Sequence, residues 1–263
     1  MNPSFKESLP KLIIRTQMML LLMLNPALCH FVMAAEALVS EDHHDIPYVS
    51  YEGSARRIIV QASLNERINA PLAIDTGSPG TIISMGLAKR LGLLDDDAAH
   101  LWTVARGIGG SSPAIFTIID TIKIGDIQQQ FFLTTVVPSI STAFEGVLGM
   151  DYLSAYTTHI DSKRHVFSLQ EMQTDSELYG GRDETWWRSA YQQLSSFRVA
   201  WKNYSERLEQ AIVNSNISAG GNIEEAKRAL SFSKQQFENA ARLFDKLDRY
   251  AIQLQVPMPW REY

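Results

Sequence analysis

One acid set between two apolar runs constrains this chain more than any other feature. The stretch reads Leu72-Ala73-Ile74-Asp75-Thr76-Gly77-Ser78-Pro79-Gly80-Thr81-Ile82-Ile83-Ser84. A carboxylate at the end of a buried strand loses hydration, so its charged form needs donated hydrogen bonds or a shared proton. The neighbours supply donors in the hydroxyls of Thr76 and Ser78 and the amide of Gly77. Gly77 also permits close backbone approach. A bare Asp-Gly turn would signal only a hairpin. Asp-Thr-Gly-Ser between two apolar strands is far more specific.

Two further segments stand in order behind it: Gly107-Ile108-Gly109-Gly110 and Gly146-Val147-Leu148-Gly149-Met150-Asp151-Tyr152-Leu153. Together the three resemble the retropepsin-like aspartic proteases, in particular their bacterial single-domain relatives, over residues 56–170. The resemblance implies a mainly β, closed β-barrel of the acid-protease fold. It implies Asp75 as the catalytic acid. Thr76 would hold two loops together, Gly77 would present backbone to substrate, and Ser78 would donate to the outer carboxylate oxygen. Gly107, Ile108, Gly109 and Gly110 would form the tip of a flap, and Gly149 and Asp151 would brace the loop from behind. One departure is Pro79, where many retroviral members carry an acid that grips substrate backbone.

Aspartic proteolysis needs two carboxylates about one water, sharing a proton. The chain has a single Asp-Thr-Gly, so the site requires a two-fold homodimer with Asp75 and its symmetry mate at the axis. No metal or other cofactor is needed. Asp120 and Asp161, also near strand ends, lack the flanking donors. Neither the histidines nor Asp95-Asp96-Asp97 has metal-ligand spacing.

The remaining regions differ in texture. Residues 1–37 read as a signal peptide or, uncleaved, an N-terminal anchor. Lys6, Lys11 and Arg15 precede the apolar run Met18 to Leu24, and small residues follow at Ala34, Ala35 and Ala37. That run alone is shorter than a bilayer span. Leu28 before Cys29 is too large for a lipidation site. Residues 38–55 read as a polar linker. From residue 56, short apolar runs punctuated by turns about every ten residues argue a β-barrel-like domain. Within it, Trp102 reads as core or pocket lining. Residues 171–182 read as a second linker. From 183 to 263, apolar residues recur at steps of three and four, as in Trp187, Ala190, Tyr191 and Leu194. That periodicity, broken at 214–221 and restarted at Asn222, describes an α-helical hairpin.

The expected protein is an exported aspartic endopeptidase, periplasmic or secreted, or inner-membrane anchored if the leader is retained. It acts on peptide or protein substrate as a homodimer. A net charge of −5 provides no basic field for nucleic acid. A second reading is a non-cleaving peptide-binding or adaptor protein whose helical hairpin engages a protein partner. A third has the hairpin blocking the dimer face.

Overall fold

The structure is a computed structural model, and the residues it describes are 43–51, 56–107, 110–172, 176–215 and 223–262. The expected leader, the flap-tip residues Ile108 and Gly109, and the Asn222 cap lie outside them.

Eleven strands are described: β1 (His43–Pro47), β2 (Val49–Tyr51), β3 (Arg57–Leu64), β4 (Ile68–Ile74), β5 (Ile82–Ser84), β6 (Leu101–Gly107), β7 (Gly110–Ile124), β8 (Ile127–Val137), β9 (Gly146–Leu148), β10 (Tyr156–Asp161) and β11 (Val166–Glu171). The helices are α1 (Met85–Arg90), α2 (Met150–Leu153), α3 (Glu184–Ser215) and α4 (Ile223–Gln253). The main sheet runs β2-β3-β4-β9-β5-β8-β7-β6, and an extra β3–β7 pairing brings its order back on itself. The fold is thus mainly β, a barrel-like sheet followed by a helical hairpin. The short strand β9 inserts between β4 and β5, parallel to the first and antiparallel to the second.

Local chemistry explains the joints. Asn65 and Glu66 adopt φ values of 50° and 55° in the β3–β4 turn, a conformation in which Asn is among the better-tolerated residues. The Asn65 side chain then accepts the amides of Asp120 and Thr121 at 2.9 and 3.2 Å, tying the turn to the middle of β7. Ser84 caps α1 by accepting the Leu87 amide at 3.2 Å. Gly92, at φ 72°, follows the helix end.

Two strands occupy part of the stretch read as linker. The polar composition of residues 43–51 hid a period-two pattern in which Ile46 and Tyr48 point into the barrel core. β1 pairs with β11, and Ser168 donates to Asp45 at 2.6 Å. A second sheet, β1-β11-β10, results, with β10 on its edge.

Strand β7 has no solvated side over residues 114–119, because cores lie on both faces. Ile115 and Ile119 face the barrel core, while Phe116 and Ile118 face the hairpin. Phe131 in β8 has φ 63°, a costly conformation for a bulky residue. It is held on the hairpin side by stacking on Tyr250 of α4, with centroids 4.6 Å apart and rings 5° from parallel. Trp187, Ala190, Tyr191 and Leu194 of α3 complete this second core with Leu243, Leu247 and Ala251 of α4. Burying a large apolar side chain contributes about 1.5–3 kcal/mol. The helices run antiparallel, as the contacts Tyr191–Asp248 and Ser205–Ser233 show. Barrel and hairpin belong to one compact unit, His43–Tyr263.

Candidate active site

Strand β4 delivers Asp75 to the site and β9 holds it there. The β4–β9 ladder ends at Ile74 and Leu148, and the Asp75 amide extends it by donating to the Leu148 carbonyl at 3.1 Å. The chain then turns sharply, with the Ser78 amide donating to the Asp75 carbonyl at 3.1 Å. Inside that turn the Gly77 amide donates to Asp75 Oδ1 at 2.9 Å. A Cβ on Gly77 would lie 3.2 Å from the same oxygen, so glycine sets the closeness of that contact. Asp75 is half-buried, and Thr76 and Gly77 are exposed.

The loop rests on the third motif. A Cβ on Gly149 would sit 2.6 Å from the Gly80 carbonyl oxygen and 2.7 Å from that of Ser78, both backbone atoms that cannot swing aside. The Met150 amide donates to the Ser78 carbonyl at 2.8 Å. Asp151 receives two hydrogen bonds from Thr81, from its amide at 2.8 Å and its hydroxyl at 3.1 Å. Burial pushes the Asp151 carboxyl above its ordinary range, opposed by the Thr81 donors and the Arg182 charge. Arg182 is buried between the rings of Phe132 and Trp186, at 5.2 and 5.1 Å, and donates to the Asp151 carbonyl. Burial lowers the pKa of its guanidinium.

The structure corrects two sequence expectations here. Ser78 Oγ donates to the Gly80 carbonyl at 2.7 Å, so this hydroxyl fastens its own loop instead of supporting the Asp75 carboxylate. Ser78 as a whole is buried, and its carbonyl lies against Gly149. Trp102 is not core: it stands 47% exposed on β6, because the adjacent Leu101 takes the inward position.

Gly107 and Gly110 pair at the end of the β6–β7 hairpin, and Gly110 has φ 110°. The base of this hairpin is gripped by α4. Gln236 accepts the Trp102 amide at 2.8 Å, Asn239 donates to the His100 carbonyl at 2.8 Å, and Arg242 donates to the Asp97 carbonyl at 3.0 Å. The other acids are engaged elsewhere: Asp120 with Lys246 at 2.6 Å, and Asp161 with Arg164 at 2.8 Å. Hydrogen bonds from Arg164 bring the Asp161 pKa down to about 2.

Sequence reasoning did not find Arg182, Gln236 or Asn239. Their signal was weak: one cation after a Gly-Gly pair, and two amides on the apolar side of an amphipathic helix.

Residues 60–152 match a family described as aspartyl protease. Among solved structures, the chain is similar to a retropepsin-like aspartic protease from Rickettsia conorii, at 16% identity and TM-score 0.37, covering 49% of this chain and 90% of that one. It is also similar to EIAV protease complexed with the inhibitor HBY-793, at 21% identity and TM-score 0.31, covering 40% and 92%. A third is the retroviral protease-like domain of Ddi1 from Leishmania major, at 15% identity and TM-score 0.32, covering 46% and 98%. No curated protein matches the chain. Residues 60–152 are thus similar to the aspartyl-protease family, and two long helices, α3 and α4, follow them in the chain.

Proposed function

We propose that the protein is an exported aspartic endopeptidase whose active site forms when two copies bring their Asp75 side chains together. The observation that carries this reading is the state of the loop. Asp75 is fixed by backbone bonds on one side, while Thr76 and Gly77 beside it are exposed. A second copy placed there would complete a carboxylate pair.

Like charges at contact cannot both ionise, so the pair holds one proton between them. The ionised carboxylate takes a proton from water as the water oxygen attacks the peptide carbonyl carbon. The protonated partner donates to the carbonyl oxygen. Collapse of the tetrahedral intermediate breaks the C–N bond, and the amine leaves with a proton from the pair. The β6–β7 hairpin serves as the lid that excludes water. The basic and apolar start of the chain supports export, to the periplasm or outside, or tethering to the inner membrane.

The hairpin packs on β6, β7 and β8 and leaves Thr76 and Gly77 exposed, which weighs against a hairpin that blocks pairing. The test is cleavage of a diverse peptide library by the wild-type protein and by Asp75→Asn, from about pH 3 to about pH 8, a range that brackets carboxyl titration. The wild type should cleave with a specific rate that rises with protein concentration as dimers form. Asp75→Asn should lose about 10²–10⁴-fold in kcat. Equal cleavage by both would remove Asp75 from the chemistry. A folded dimer that never cleaves would favour the non-cleaving peptide-binding reading.

A further inference from the structure

A cavity of about 820 Å³ opens beside the Asp75 loop and ends against the helical hairpin. Small-molecule and side-chain pockets run roughly 300–1,000 Å³, so it has room for a large group. Its near wall is the loop immediately after Asp75, from Ser78 to Ile82, and its roof is Val104, Ala105 and Arg106 of the β6 arm. The far wall belongs to α3. Thr185, Ser189 and Gln193 line it at steps of four, one face of a helix, with Trp186 and Ala190 beside them.

Thr185, Ser189 and Gln193 are exposed, and Trp186 is only partly buried. They are therefore not consumed by packing against the barrel, unlike the neighbouring Trp187, Tyr191 and Leu194. The deeper lining is aromatic and aliphatic, with Phe116, Phe131, Phe132 and Leu133. The charged residues at the cavity balance, Arg106 and Arg182 against Asp151 and Asp183, so neither sign of ligand charge is selected. One polar group is unspent: Arg182 is 5% exposed, lines the cavity, and its Nη2 has no hydrogen-bond partner. Such a buried donor is costly until an acceptor arrives.

We infer that α3 forms part of the substrate site: Thr185, Trp186, Ser189 and Gln193 close a specificity pocket for a bulky aromatic side chain on an extended peptide. This rests on the protease reading for its location, since a peptide lying across Asp75 and beneath the β6 arm continues into this space. An oxygen carried by that peptide would satisfy Arg182.

The test narrows the pocket from the helix side with Ser189→Trp, at an exposed position where folding does not depend on the side chain. Gln192→Trp, on the same helix but outside the cavity, is the control. Two peptide panels differ only in carrying Phe or Tyr against Gly or Ala at each position around the cleaved bond. The readout is the aromatic-to-small ratio of kcat/KM, which uniform destabilisation does not move. Wild type and Gln192→Trp should favour the aromatic residue at one position. Ser189→Trp should lower that ratio about tenfold or more. An unchanged ratio, or no aromatic preference in the wild type, would overturn the assignment.

Equilibrium binding of the same peptides to Asp75→Asn, with and without Ser189→Trp, separates the two readings. Selective binding lost in the double variant supports the pocket even if the wild type never cleaves. Cleavage without any such selectivity keeps the protease reading and rejects the pocket.

Discussion

The grip of α4 on the β6 arm makes a quantitative prediction. Gln236 is 2% exposed, and its Oε1 accepts the Trp102 amide at 2.8 Å. Gln236→Leu keeps the volume close but leaves that amide without an acceptor. An unsatisfied buried donor costs about 1–3 kcal/mol, and each 1.4 kcal/mol is about tenfold in an equilibrium. The arm should therefore open locally more often, and the Trp102 amide should exchange with deuterium about 5- to 140-fold faster. Amides in the middle of β4, such as Leu72, should keep their protection, since they belong to the barrel core and open only with it. Adding Asn239→Leu removes the donor to His100 and should extend the effect along the same arm. Hydrogen exchange resolved by residue measures both. Unchanged exchange at Trp102 would refute the claim that this contact holds the arm. Equal acceleration at Leu72 would show a general loss of stability instead.

Other perturbations read different joints. Gly149→Ala should cost about 1–3 kcal/mol by overpacking, because its methyl would press on the Ser78 and Gly80 carbonyls; urea unfolding with a shift under 0.5 kcal/mol, well below that range, would contradict the close approach. Phe131→Ala should cost about 3–5 kcal/mol, since the stack on Tyr250 is lost and alanine is no better suited to the positive φ; a neutral change in midpoint would refute the stack as a source of stability. Asp151 gives a pH dependence of definite sign. Burial raises its pKa above the ordinary 3.8 in the folded state, so the native form holds the proton more tightly than the unfolded chain. Its contribution to stability is full below the ordinary value and is lost as pH rises through the raised one. The stability difference between wild type and Asp151→Asn should fall with rising pH across that window, and a difference that stays flat in urea titrations would reject the burial account.

Much of this was legible because each element announced itself locally. The Asp75 loop is a run of residues whose side chains and glycines serve one turn. The helical hairpin is visible because its apolar positions repeat at steps of three and four over long stretches. Short pieces that depend on distant partners were not legible. β1 carries only Ile46 as an inward residue, and its strand state comes from pairing with β11, over a hundred residues away. Ser78 was expected to face the carboxylate, since sequence adjacency gives donors but not directions; the turn aims its hydroxyl at Gly80. The reversal at Phe131 is invisible in an apolar run, because either face of a strand accepts Phe once both are buried.

The second core also decides where the chain can be shortened. Leu101, Phe116, Ile118 and Phe131 are buried only because α3 and α4 lie over them, and the backbone of β6 is bonded at its base by polar side chains of α4. A protein cut after β11 would keep every motif of the protease-like region yet present an apolar sheet face ending in an uncapped edge, the surface that drives strand-to-strand aggregation. The smallest compact unit, His43–Tyr263, is therefore larger than the segment that sequence likeness marks out, and the hairpin is part of it, not an appendage to it.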